Sequence, residues 1–229
     1  MNARARMASR GIPLRLVIFD CDGVLVDSEA IADRVVAASL TAQGWPMTAA
    51  ESGRRFLGMS LADMVPMIER EMARALPEGW PAQVLRDLMQ AQGRECRAIP
   101  GAIAAIDGVE RLDLPWRVAS NSSRMEMTVK FTALGMLERV QGRLHSFEDV
   151  PHGKPAPDVF LAAAAAQGVA PAACLVIEDS MLGARAAAAA GMDCLGFAPH
   201  GNEEVLRREG ATPFASMFEL PALIEAALR

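Results

Sequence analysis

The sequence predicts an α/β fold, an open parallel sheet forming a core with an all-helical cap domain inserted into it. Three observations carry this. Short continuous apolar runs recur along the chain, helical segments separate them, and residues 28–98 show helical signals alone. Strands buried on both faces of a parallel sheet read as unbroken apolar runs, and alternation of strand with helix is how such a sheet is built.

The first run is "LRLVIF" at 14–19. Beyond it, Ser28 is placed to cap a helix through Ala42. Thr48 with Glu51 and Ser60 with Asp63 fit the pattern in which a hydroxyl and a carboxylate three residues apart serve each other's backbone N–H groups, and Pro81 suits the first turn of another helix. These helices make 28–98 the cap domain, and the chain returns to the core at "IPG", 99–101. Further strands are expected at "WRVAS" (116–120), "CLVIED" (174–179) and "DCLGFA" (193–198), with a weaker one at "RLHS" (143–146). Helices are expected over 124–135, 157–167 and 181–190. The alanine runs at 162–166 and 186–190 lie between turn signals, Pro157 and Gly168 for one, Gly183 and Gly191 for the other. They read as helices lying close on a sheet rather than as low complexity. The core, 11–27 with 99–229, is thus Rossmann-like, and residues 1–10, with Arg4, Arg6 and Arg10, are expected to be a flexible basic tail.

With 52% hydrophobic and 22% charged residues, the 229-residue chain has the composition of an ordinary soluble globular protein. A net charge of -5 argues against nucleic acid or an anionic membrane as partner, since those are bound through clustered Lys and Arg. No apolar run reaches the roughly 18 residues a membrane span needs. No apolar segment precedes Gly11, so a secretory signal is not expected. Cys21, Cys96, Cys174 and Cys194 show no paired zinc spacing, and three of them sit in or beside apolar runs, which reads as reduced core thiols of a cytoplasmic protein. A monomer is the default assembly. His145, His152 and His200 show no metal spacing and are assigned no role. Of the 23 basic residues only Lys130 and Lys154 are lysines.

In open α/β sheets ligands bind outside the carboxyl ends of the strands. Those ends nominate Asp20 with Asp22, Ser120 with Asn121, and Glu178 with Asp179, while Lys154 follows the weaker strand. Taken singly, Asp22 or Asp179 reads better as a helix cap than as a ligand, as Asp27 still does at the exit into the cap. Their convergence on one sheet edge favours a site. Carboxylates so gathered either raise one another's pKa or require a cation, and donors that are all oxygen favour a hard one, Mg2+. A metal beside Lys154 suits a phosphoryl group. One carboxylate could attack phosphorus, and the other, two residues away, could protonate the leaving oxygen and later deprotonate water. Gly23 fits a sharp turn whose backbone N–H groups can hold phosphate oxygens.

The residues at these positions resemble the haloacid dehalogenase (HAD) superfamily, in the subfamily with a helical cap after the first strand that includes phosphoglycolate phosphatases and β-phosphoglucomutase-like proteins. The motifs are "DCDGV" at 20–24, "SN" at 120–121, "GKPAPD" at 153–158 and "IEDS" at 177–180, in family order. The resemblance implies that Asp20 is the nucleophile and Asp22 the general acid–base. It places Asp20, Asp179 and the Asp22 main-chain carbonyl on Mg2+, with Glu178 a ligand directly or through water. Ser120 would bond a phosphoryl oxygen, and Lys154 would neutralise charge and orient Asp20, a task for a compact ammonium rather than a planar guanidinium. Asn121 either bonds substrate or caps the helix beginning near Ser122. Arg124 reads as a residue of a solvated helix face.

The family's reactions are then narrowed. Its dehalogenases need neither metal nor a second aspartate, and its phosphonate hydrolases use a cap lysine, which 28–98 lacks. Its β-phosphoglucomutase pattern has an Arg soon after a "G-V-S" turn in the cap, where "GMSLADM" (58–64) has Leu61. Arg54 and Arg55 lie close by but could face solvent. The expectation is a Mg2+-dependent phosphatase acting through an aspartyl-phosphate on a small phosphorylated metabolite, a sugar phosphate, with the cap closing over it. A phosphomutase is the alternative, and a catalytically idle binding or regulatory protein is the alternative of another class. Trp45, Met59, Leu61 and Met64 read as cap core before pocket lining.

Overall fold

The computed structural model describes residues 12–56, 59–199 and 201–228. The tail expected at 1–10, Gly58 of the cap turn and His200 lie outside the described residues. The strands are β1 (Leu16–Phe19), β2 (Val26–Asp27), β3 (Arg97–Ala98), β4 (Trp116–Ser120), β5 (Leu144–Ser146), β6 (Cys174–Glu178), β7 (Asp193–Phe197) and β8 (Thr212–Phe214). The helices are α1 (Glu29–Ala42), α2 (Ala49–Phe56), α3 (Leu61–Met72), α4 (Trp80–Glu95), α5 (Ala102–Arg111), α6 (Arg124–Ala133), α7 (Leu137–Val140), α8 (Asp158–Gln167), α9 (Met181–Ala189), α10 (Glu203–Arg208) and α11 (Leu220–Leu228).

Six strands form one parallel sheet in the order β5-β4-β1-β6-β7-β8, and β2 and β3 form a second sheet of two strands. The first strand of the chain thus lies inside the sheet, between β4 and β6. Its four residues are all buried, which is why "LVIF" shows no alternation. The edge strand β8 has no counterpart in the sequence reading. Pro213 lies in its middle and removes a donor, a pattern tolerated at an edge and misleading in a search for apolar runs.

The chain divides into two compact units, one built from the described residues up to Asp27 and from Ala98 onward, the other from Ser28–Arg97. In the first, the alanine-rich helices are packing surfaces. Ala163 and Ala164 of α8 and Ala184, Ala186 and Ala187 of α9 share a core with Leu16, Ile18 and Val176 of the sheet. Phe19 and Trp116 meet edge to face at 6.2 Å, a favoured aromatic geometry. In the second unit, Val36, Leu40, Phe56, Met64, Ile68, Trp80 and Val84 form a core of their own, with Trp45, Met59 and Leu61 packed against it. Arg54 and Arg55 are exposed, the latter over the Trp45 ring.

Local signals set the helix starts. The Thr48 and Glu51 side chains exchange bonds with each other's backbone N–H groups, the Ser60 hydroxyl accepts from Asp63 N–H, and Pro81 lies in the first turn of α4. Ser28 occupies the N-cap position of α1 but makes no side-chain cap bond there. All four cysteines are buried free thiols. Among the described residues, no helix is long and apolar enough to cross a membrane.

Ile18 is fully buried in the middle of β1, so Ile18→Ala is expected to lower the unfolding free energy by about 2–5 kcal/mol. Urea denaturation measures this, and a midpoint unmoved by the substitution would contradict the packing described.

Candidate active site

The strand register brings the site together. Phe19 of β1 pairs with Val118 of β4 and with Ile177 of β6, so the next residues emerge level at the carboxyl edge. Asp20 donates its N–H to the Ile177 carbonyl at 2.9 Å, Ser120 ends β4, and Glu178 ends β6. Lys154, from the loop beyond β5, reaches into this edge. Its Nζ lies 2.6 Å from Asp20 Oδ1 and 2.6 Å from Glu178 Oε1, and 4.7 Å from the centre of the Phe160 ring. All three charged groups are buried.

One ammonium shared by two buried carboxylates leaves negative charge uncompensated. Burial pushes Asp20 up to about 7, against the pull of Lys154 and with Glu178 and Asp22 adding to the rise. Burial alone would lower Lys154, but Asp20 and Glu178 overcome it and hold the ammonium above its ordinary value. Glu178 is fixed at its other oxygen as well, where Oε2 accepts from Asp179 N–H, Ser180 N–H and Ser180 Oγ, each at 2.9 Å.

A second ion pair lies beside the first. Lys130 of α6 is 2% exposed, and its Nζ is 2.7 Å from Asp22 Oδ1 and 2.8 Å from Ser122 Oγ. Ser122 donates its hydroxyl to Asp22 Oδ2 at 2.7 Å. Burial would lower Lys130 too, but Asp22 holds it above its ordinary value. Sequence reasoning missed both Lys130 and Ser122. The signal was present, since the chain has only two lysines, yet one hundred residues separate Asp22 from Ser122 and no motif links them.

Two expectations about backbone and amide groups need correction. The turn at Gly23 was expected to present free backbone N–H groups; the Gly23 N–H is not one of them, since it donates to the Val26 carbonyl at 2.9 Å within the turn. What Gly23 supplies is space and a left-handed backbone: its φ is +73°, and a Cβ there would lie 2.0 Å from Asp179 Oδ2. Of the two readings of Asn121, a substrate contact or a helix cap, the cap is the one the structure overturns. The cap is Ser123, in a capping box with Glu126. Asn121 instead clamps the Lys154 main chain, Oδ1 accepting its N–H at 2.8 Å and Nδ2 donating to its carbonyl at 3.0 Å. It therefore positions the lysine.

Other nominated residues stand apart from this cluster. Asp27 is an exposed residue of β2 rather than a helix cap. Arg124 is exposed and paired with Asp149 at 2.8 Å. His152 is exposed, and His145, pushed down to about 4 by burial and by Arg117, sits beside that guanidinium. Ser120 is buried, and its hydroxyl oxygen accepts the Ser122 N–H at 2.9 Å, leaving its own proton to be donated.

The donor set fits a divalent cation. Asp20, Glu178 and Asp179 each offer a carboxylate oxygen, all within 4.8 Å of one another. Four carboxylates, Asp20, Asp22, Glu178 and Asp179, meet the two ammonium groups of Lys130 and Lys154, and a dication would balance the remainder. With no histidine or thiol among the donors, a hard ion such as Mg2+ is favoured. The Asp22 side chain is outside this group, turned to Lys130. Asn202 steadies the Asp179 loop by donating Nδ2 to the Asp179 carbonyl at 2.9 Å.

Comparison with known proteins places this arrangement. Residues 14–191 match the family described as haloacid dehalogenase-like hydrolase. Among curated proteins, the 6-phosphogluconate phosphatase of Escherichia coli is 29% identical over 214 residues, which cover 93% of this chain and 96% of that protein. A solved haloacid dehalogenase-like protein from Agrobacterium tumefaciens is 35% identical with a TM-score of 0.82, covering 94% of this chain and 100% of its own. A HAD family hydrolase from Deinococcus radiodurans, solved with bound phosphate and sodium, is 30% identical with a TM-score of 0.80, over 95% and 98% of the two chains.

Gly183, in the first turn of α9, lies directly over Glu178, and a Cβ there would lie 1.7 Å from Glu178 Oε1. Gly183→Ala is therefore expected to displace the carboxylate that holds Lys154 and to cost about 1–3 kcal/mol of stability through overpacking. An unfolding midpoint equal to that of the parent protein would show that Glu178 does not occupy this place.

Proposed function

The chain belongs to the haloacid dehalogenase-like hydrolases, and from that premise we propose that it is a Mg2+-dependent phosphatase which cleaves a small phosphorylated metabolite through an aspartyl-phosphate on Asp20. The observation that carries this reading is Lys154 held against Asp20 and Glu178 at the carboxyl edge of the central strands. With Oδ1 tied to Lys154, Asp20 has Oδ2 as its attacking oxygen.

In the first step Asp20 Oδ2 forms a bond to phosphorus as the ester P–O bond breaks, and Asp22, ionised in the free protein and protonated as the anionic substrate binds, gives that proton to the departing oxygen. In the second, Asp22 takes a proton from water as the water oxygen bonds to phosphorus and the Asp20 carboxylate leaves, releasing inorganic phosphate. Ser120 donates its hydroxyl to a phosphoryl oxygen, and Lys154 neutralises charge on Asp20 and on the phosphoryl group. Asp20, Asp179 and the Asp22 main-chain carbonyl would hold Mg2+, with Glu178, whose oxygens already take four donors, acting through water. The ion supplies the positive charge that lets an anionic substrate approach these carboxylates. The likeness to a 6-phosphogluconate phosphatase supports a sugar phosphate or phosphorylated sugar acid as substrate.

Phosphate release across sugar phosphates, 6-phosphogluconate, phosphoglycolate and nucleotides tests the reading, with β-glucose 1-phosphate included to detect isomerisation. Asp20→Asn should retain the fold and lose about 10⁴-fold or more in turnover, the scale on which removal of a covalent nucleophile is felt. Retained turnover in that variant would sink the assignment. Dialysis against EDTA should abolish phosphate release and added Mg2+ should restore it, whereas undiminished activity would count against the metal.

A further inference from the structure

Lys130 is the seventh residue of α6, at a helical position where a lysine ordinarily reaches solvent. Here it is 2% exposed, and its Nζ contacts Asp22 and Ser122. The chain answers nearly every need for positive charge with arginine, and has only two lysines. One contacts Asp20, which shares it with Glu178, and the other contacts Asp22. A buried ion pair is a poor way to gain stability, because an apolar residue of similar volume does as well or better. The placement therefore asks for a reason other than folding.

We propose that Lys130, with Ser122, is a positioning residue that fixes the Asp22 carboxylate for its two proton transfers. The geometry is a closed triangle: Lys130 Nζ donates to Asp22 Oδ1 at 2.7 Å and to Ser122 Oγ at 2.8 Å, and Ser122 Oγ donates to Asp22 Oδ2 at 2.7 Å. Holding both oxygens sets the plane of the carboxylate, which one bond would leave free to rotate. Ser122 is itself fixed, its N–H on Ser120 Oγ and its carbonyl accepting from Ser146 Oγ at 2.8 Å. The orientation of Asp22 is thereby tied to the end of β4, where Ser120 stands. The Asp22 side chain is partly exposed, with 28% of it open to solvent.

The inference rests on the phosphatase reading, and its test separates the two. An aryl phosphate such as p-nitrophenyl phosphate has a leaving group that departs without a proton, so phosphoryl transfer to Asp20 does not depend on Asp22, while hydrolysis of the phosphoenzyme does. Lys130→Met should therefore show a pre-steady-state burst of p-nitrophenolate, its rate within about threefold of wild type, followed by turnover reduced by about 10²-fold or more. Turnover of an alkyl phosphate, which needs the proton in the first step, should fall by about as much, with no burst of product. Asp22→Asn sets the reference pattern. Ser122→Ala removes one side of the triangle and should give the same split at smaller amplitude, and it carries the test if Lys130→Met fails to fold. A burst rate that falls in step with turnover in both variants, or turnover unchanged in either, overturns the positioning role. Absence of phosphate release by the wild-type protein from every substrate overturns the phosphatase reading, and the inference with it.

Discussion

Lys154 lies 2.6 Å from carboxylates on two adjacent strands, and the charge it leaves uncompensated is the constraint on which the rest of the site depends. Buried carboxylates persist only when paired, hydrogen-bonded or bound to a cation. Each device is present here. Glu178 takes three donors at one oxygen and the ammonium at the other, Asp22 takes Lys130 and Ser122, and Asp20 and Asp179 stand where a dication would complete the balance. Stability alone does not account for such a cluster, since hydrophobic replacement would serve it as well.

Small residues make the cluster possible. Gly23 leaves room for the Asp179 carboxylate and Gly183 for that of Glu178, so two of the acidic groups sit where any side chain on a neighbouring turn would displace them. The alanines of α8 and α9 let those helices lie on β1 and β6 with Leu16, Ile18 and Val176. Asn121, Ser122 and Asn202 then hold main-chain or side-chain groups of Lys154, Asp22 and Asp179, and such supporting contacts keep a site's geometry within tolerance.

Several parts of this were legible before any coordinates. The four apolar runs became β1, β4, β6 and β7 within a residue or two, because strands buried on both faces show their burial in every residue. The capping pairs at Thr48 and Ser60 acted as local chemistry says they should, being complete within four residues. Edge strand β8 escaped notice because its middle residue is Pro213. The bonds that Asn121 and Gly23 make within the chain were not legible, because a motif reports which groups are near a strand end but not which of them the chain uses on itself.

By itself the sequence determined the strand order of appearance, the residues placed at strand ends, the oxygen-only character of the donors and the family to which the chain is similar, all of which depend on residue type and short-range spacing. Only the tertiary structure decided that Lys130 is buried against Asp22, that Lys154 is shared between Asp20 and Glu178, and that Asn121 clamps the loop carrying that lysine. These contacts join residues 24 to 134 positions apart. A charge's partner over such a separation is set by register and helix packing, which no local pattern encodes.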